Sequence, residues 1–157
     1  MMKRKNTNSG KVEKSELRVE LFLNNSAHDE SSADRVKHIQ IWTTDNLDVS
    51  TFRNGDAIPE AKTEAEWKEA GMNAQPAWCY YENDAANGKK YGKLYNWFAV
   101  NDARGLAPQG WHVPSDEEWT KLCDHLGGRH VAGEKMKSTT GWDDDGNGTN
   151  EIGRAHV

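Results

Sequence analysis

Trp111-His112-Val113-Pro114-Ser115-Asp116-Glu117-Glu118-Trp119 is the stretch from which the rest of the chain can be read. Proline lacks an amide hydrogen and does not fit a helix interior, but it fits well just before a helix begins. Ser115 and Glu118 have the spacing of a capping box, in which the hydroxyl accepts from the Glu118 amide and the Glu118 carboxylate accepts from the Ser115 amide. Beyond it, Trp119, Leu122, Cys123 and Leu126 recur at the i, i+3, i+4, i+7 spacing of one helical face. Gly127-Gly128 then ends the element, because glycine adopts the left-handed conformation of a helix terminus without penalty. The spacing predicts an amphipathic helix with its apolar face, Cys123 included, in a core. Asp116, Glu117 and Glu118 fall in its first turn, where negative charge complements the helix dipole, so capping accounts for them without catalysis.

Working outward, Thr63-Glu64-Ala65-Glu66 is a second capping box, opening a short helix through Trp67 and Ala70 that Gly71 is expected to close. Ala77 to Tyr81 reads as a strand and Asn87-Gly88 as a turn. Leu94 to Val100 is an apolar and aromatic run, read as buried, whose period fits either a strand or a helix. Ile39, Ile41 and Trp42 alternate as in a half-buried strand, and the domain is expected to begin near Val36. Residues 1–35, rich in Lys, Glu, Ser and Asn, read as a polar, disordered leader, and residues 36–150 as the body of the domain.

A chain of 157 residues makes one core the expectation. It is sparing in apolar residues, 35% of the total, with a mean hydropathy of -0.96. Seven Trp, four Tyr and three Phe compensate, so large rings must build much of the interior. The net charge of -5 leaves no basic stripe for nucleic acid, which is excluded as an expected partner. No run approaches the roughly 18 apolar residues of a transmembrane segment, and the basic start Met1 to Lys5 has no apolar stretch after it to make an export signal. Cys79 and Cys123 are too few and wrongly spaced for a structural zinc site.

Several blocks together resemble a known family: Trp42-Thr43-Thr44-Asp45-Asn46-Leu47, Thr51-Phe52-Arg53-Asn54-Gly55-Asp56, Pro76-Ala77-Trp78-Cys79-Tyr80-Tyr81, Tyr91-Gly92-Lys93-Leu94-Tyr95-Asn96-Trp97 and Gly110-Trp111-His112-Val113-Pro114-Ser115. In this order they are similar to the Fibrobacter succinogenes major paralogous domain, over about Val36 to Asn150. The resemblance implies an α+β, C-type-lectin-like fold related to the formylglycine-generating sulfatase-modifying group, on an exported or surface-attached bacterial protein. It also implies that the fold is incomplete here, with C-terminal strands missing after the Gly141-Trp142 region. In relatives a more C-terminal cysteine is the expected partner of Cys79, so no bond between Cys79 and Cys123 is anticipated. Residues 151–157, EIGRAHV, match the translation of GAG-ATC-GGA-AGA-GCA-CAC-GTC, a sequencing-adapter read-through, and are set aside from functional reasoning. A short natural C-terminus is the alternative reading.

The sharpest chemical pattern is Asp143-Asp144-Asp145-Gly146-Asn147-Gly148. Asp143, Asp145 and Asn147 alternate as in D-x-[DN]-x-[DN]-G, which makes them candidate calcium ligands, because hard oxygen donors there converge on the ion. The position of the bidentate Glu is Arg154, and Asp/Asn/Gly strings are also the ordinary composition of surface turns. His112, His125 and His130 share no ligand spacing and read as satisfied or exposed. Trp78, Tyr80, Tyr81, Tyr95 and Trp97 invite a sugar-stacking role, although most are expected in the core. With no catalytic constellation, the expected function is a non-catalytic extracellular or cell-surface binding module, with surface polysaccharide or protein as the partner class. The alternatives are a formylglycine-generating-type oxidase whose cysteines lie further along, and a structural module of a larger surface protein.

Overall fold

A computed structural model of the chain describes residues 2–4, 16–22, 37–142 and 146–150. Within them lie β1 (Lys3–Arg4), β2 (Glu16–Phe22), β3 (Lys37–Thr43), α1 (Glu64–Met72), β4 (Trp78–Cys79), α2 (Gly88–Tyr91), β5 (Leu94–Tyr95), α3 (Trp97–Val100), β6 (Trp111–His112), α4 (Asp116–His125) and α5 (Arg129–Met136). The architecture is mixed α and β. One sheet has the order β2-β3-β1-β6 with antiparallel pairings throughout, and β4 pairs antiparallel with β5 in a second.

The leader departs from expectation. Its described residues contribute β1 and β2, and β2 runs in register along all of β3, from Glu16 opposite Thr43 to Phe22 opposite Lys37. The Glu-Leu-Arg-Val-Glu-Leu-Phe run alternates charged and apolar residues, a strand period hidden inside a polar segment. Met2 is buried at the end of β1, its amide bonded to Thr43 Oγ1 (2.8 Å) and its carbonyl to the Thr43 amide (2.9 Å).

The expected helix is α4, and its capping box is complete: Ser115 Oγ accepts from the Glu118 amide (3.3 Å) and Glu118 Oε2 from the Ser115 amide (2.9 Å). Leu122 and Leu126 are buried with Trp42 and Ala132, and Trp119, Cys123 and Met136 pack around them. The Trp42 and Trp119 rings lie 5.0 Å apart at a tilt of 51°, within the range of a favourable aromatic pair. In β3, Trp42 shares the buried side with Gln40, whose Oε1 accepts from the indole Nε1 (3.2 Å), so the one amide in this core is satisfied.

A second core joins Phe52, Ile58, Trp78, Ala99 and Leu106. Here Leu94 to Val100 resolves as both of its alternatives: β5, then Asn96 as N-cap, then α3. Asn96 Oδ1 accepts from the amides of Ala77 (3.1 Å) and Ala99 (3.0 Å), while Nδ2 donates to Gln75 O (2.7 Å). A polar residue thus breaks the apolar period because it stitches two segments together. The run is not uniformly buried, since Leu94 and Trp97 face solvent. The strand expected over Ala77 to Tyr81 shortens to β4, and Asn87-Gly88, read as a turn, joins the end of a 3-10 turn to the start of α2.

Candidate binding cleft

The chain leaves β3 at Thr43 and crosses the molecule as Thr44-Asp45-Asn46-Leu47-Asp48. Opposite it runs α2 with Gly92. Gly92 adopts φ +68°, and a Cβ there would lie 2.6 Å from the Leu47 carbonyl, so only glycine lets the two segments come this close. The Lys93 amide then bonds that same carbonyl (3.0 Å). Next to this contact the Lys93 ammonium pairs with the Asp48 carboxylate and lies 4.7 Å from the Trp78 ring centroid. Tyr95 completes the anchoring, its hydroxyl donating to Val49 O (2.6 Å) and accepting from Val49 N (2.7 Å). Burial pushes the Tyr95 phenol well above its usual pKa of 10, which keeps it a neutral donor.

What the two segments enclose is a polar cleft of about 230 Å³, with Thr44, Asp45, Asn46 and Asp48 on one wall and Lys89 and Lys90 on the other. Asp48 is held by Lys93, and Lys90 donates to the Tyr91 hydroxyl (2.7 Å). Among the described residues, the side chains of Asp45, Asn46 and Lys89 have no hydrogen-bond or ion-pair partner. The Tyr91 ring next to Lys90 meets the ring of Tyr81 edge-on at 5.5 Å, and Tyr81 is exposed. A second hollow of about 130 Å³ flanks the same loop, lined by Met2, Leu47, Pro108 and Trp111 and again by Asp45, Asn46 and Asp48. A carboxylate, an amide and an ammonium are therefore available around a preformed opening, an arrangement suited to hydrogen-bonding a small polar ligand.

The residues singled out from the sequence fall elsewhere. Asp143 and Asp145 lie outside the described residues. Asn147 Oδ1 accepts from the Trp142 amide (3.2 Å), and Gly148 lies so close to α5 that a Cβ would come within 2.1 Å of Glu134 O. The amides of Gly148, Thr149 and Asn150 bond Ser138 O, Glu134 O and Lys137 O (2.8, 2.9 and 3.0 Å), which partners carbonyls at the end of α5. The glycine of the pattern is explained by that close approach. His112 Nε2 is 2.9 and 3.0 Å from the two Glu118 oxygens, so one carboxylate serves both the capping box and β6, while His125 and His130 are exposed. Cys79 and Cys123 are free thiols, as anticipated, and burial raises the Cys79 pKa, which disfavours a reactive thiolate. Of the aromatic residues, Trp78, Tyr80 and Tyr95 belong to the second core and Tyr81 and Trp97 are exposed. The cleft escaped sequence reading: Thr44, Asp45, Asn46 and Gly92 fall within two of the recognised blocks, Trp42 to Leu47 and Tyr91 to Trp97, but Asp48, Lys89 and Lys90 lie outside them.

Fold and cleft together define a mixed α/β domain with a polar, loop-walled opening. The family model of the Fibrobacter succinogenes major domain matches residues 39–156, and the chain belongs to that family. Comparisons with curated proteins and with solved structures found no match. Among the described residues, no helix is long and apolar enough to cross a membrane.

Proposed function

We propose that this domain is a non-catalytic binding module of an extracellular or cell-surface protein, with a C-type-lectin-like fold, and that its ligand is a hydroxyl-rich small unit such as a residue of a surface polysaccharide. The observation that carries this reading is the uncommitted set Asp45, Asn46 and Lys89 around an opening whose walls are fixed by the Gly92–Leu47 approach and the Lys93–Asp48 pair. Neighbouring hydroxyls of a sugar both donate and accept, and a carboxylate, an amide and an ammonium meet both needs. The exposed Tyr81 ring near α2 offers an apolar face of the kind on which sugars stack. Calcium at Asp143, Asp145 and Asn147 remains a separate proposal, testable by calcium titration of the chain.

Binding of the whole chain to a panel of surface polysaccharides and their oligosaccharides, by calorimetry, tests the reading. Asp45→Ala removes a charged hydrogen-bond acceptor worth about 1.5 to 3 kcal/mol and is expected to weaken binding about 10- to 100-fold. A ligand whose affinity is unchanged by both Asp45→Ala and Asn46→Ala would place the site elsewhere, and a panel with no binder would defeat the proposal.

A further inference from the structure

The hollow flanking the Asp45–Asp48 segment is more apolar than the cleft, and the two share Asp45, Asn46 and Asp48 as lining. Each is smaller than the roughly 300 Å³ at which pockets for drug-sized ligands begin, so each accommodates a fragment: a ring-sized polar unit in one and a small apolar group in the other. Resting on the binding reading above, we infer that the preferred ligand is an acetamido sugar, its ring in the polar cleft and its acetyl methyl directed into the hollow of Met2, Leu47, Pro108 and Trp111.

The chemistry of the shared residues matches the group that must lie between the two compartments. A secondary amide presents one N–H donor and one carbonyl acceptor. Asp45, which accepts only, is complementary to the N–H, and the side-chain amide of Asn46 donates to the carbonyl. Both side chains are without other partners among the described residues. A sugar with a plain hydroxyl at that position leaves the apolar hollow unfilled, and a free amine offers neither a carbonyl to the Asn46 amide nor a methyl to Met2 and Trp111. Met2 is itself buried and fixed through both backbone hydrogen bonds to Thr43, so the hollow is preformed.

The test titrates the full chain with glucose, glucosamine, N-acetylglucosamine and N-acetyl-lysine amide, following affinity by calorimetry and the Met2 methyl and Trp111 indole signals by NMR. The expected result is N-acetylglucosamine at least about tenfold tighter than glucose or glucosamine, a difference of about 1.4 kcal/mol, with Met2 and Trp111 shifting for N-acetylglucosamine alone. Asn46→Ala should erase most of that preference. Equal affinity for the three sugars would overturn the acetamido assignment while leaving the binding reading standing. Stronger binding of N-acetyl-lysine amide than of any sugar would reassign the site to acylated peptides, and no binding of any probe would overturn both proposals.

Discussion

Helices α1 and α4 begin the same way and are held in place differently. Each opens with a complete capping box, Thr63 with Glu66 in one and Ser115 with Glu118 in the other, and each carries an exposed i,i+4 ion pair, Glu64–Lys68 and Glu117–Lys121. Yet α1 has no buried residue and touches the interior only through half-buried Trp67 and Ala70 against Ala61, Ala77 and Cys79. Helix α4 buries Leu122 fully and brings Trp119 onto Trp42. The difference teaches that a capping box sets where a helix starts, whereas its share in stability is decided by what its apolar face meets.

The comparison breaks most visibly at Leu122. Replacing it by alanine empties space beside Trp42 in a closely packed core, and Leu122→Ala is expected to destabilise the domain by about 2 to 5 kcal/mol in urea unfolding. A loss below about 1 kcal/mol would mean that α4 is no better anchored than α1. The caps come next. Ser115→Ala should cost about 1 kcal/mol of global stability, because α4 unfolds with the core, whereas Thr63→Ala should cost less globally and appear chiefly as faster amide exchange within Glu64–Met72. Identical exchange changes in the two helices would erase the distinction.

A region held by charge sharpens it further. Arg104 bonds Asp102 (2.8 Å) and Asp56 (3.2 Å) and stacks over Phe52, tying the 52–57 turn to the segment before Leu106. The Arg104 hydrogen bonds hold the Asp102 carboxyl down at about 2, and hydrogen bonds from Asn54 and Arg104 lower that of Asp56. A carboxyl depressed in the folded state stabilises at pH values above its unfolded pKa of about 3.9, and loses that contribution as the pH falls through the folded value. The stability gap between the wild type and Asp102→Asn should therefore be complete at pH 7, shrink between about pH 4 and 2, and close below that. Because the pair is partly exposed to solvent, the gap should also narrow somewhat in salt. The smallest effect is expected at Met72, which is 80% exposed at the end of α1: Met72→Gln should change stability by less than about 0.5 kcal/mol.

Much of this was legible from the residues alone wherever the cause is local. Capping boxes act over three residues and an amphipathic face over seven, so α1, α4 and the packing of Trp119, Leu122 and Leu126 with Trp42 could be anticipated from spacing. The aromatic character of the interior followed from composition, and the blocks from Trp42 to Ser115 pointed to the family that the chain belongs to. The strand at Glu16–Phe22 was masked because its period-2 pattern sits in a polar leader and its reward is pairing with β3, a partner distant in the chain. The cleft was hidden for the same reason. Gly92 looks like any loop glycine until Leu47 is placed beneath it, and Asp45, Asn46 and Lys89 become a set only when α2 and the segment after β3 are brought side by side. The sequence by itself determined where helices start, which faces are apolar and what fills the core, because those are set by neighbours along the chain. Only the tertiary structure decided where polar groups converge without partners, because that depends on backbone approaches between segments whose local patterns carry no record of each other.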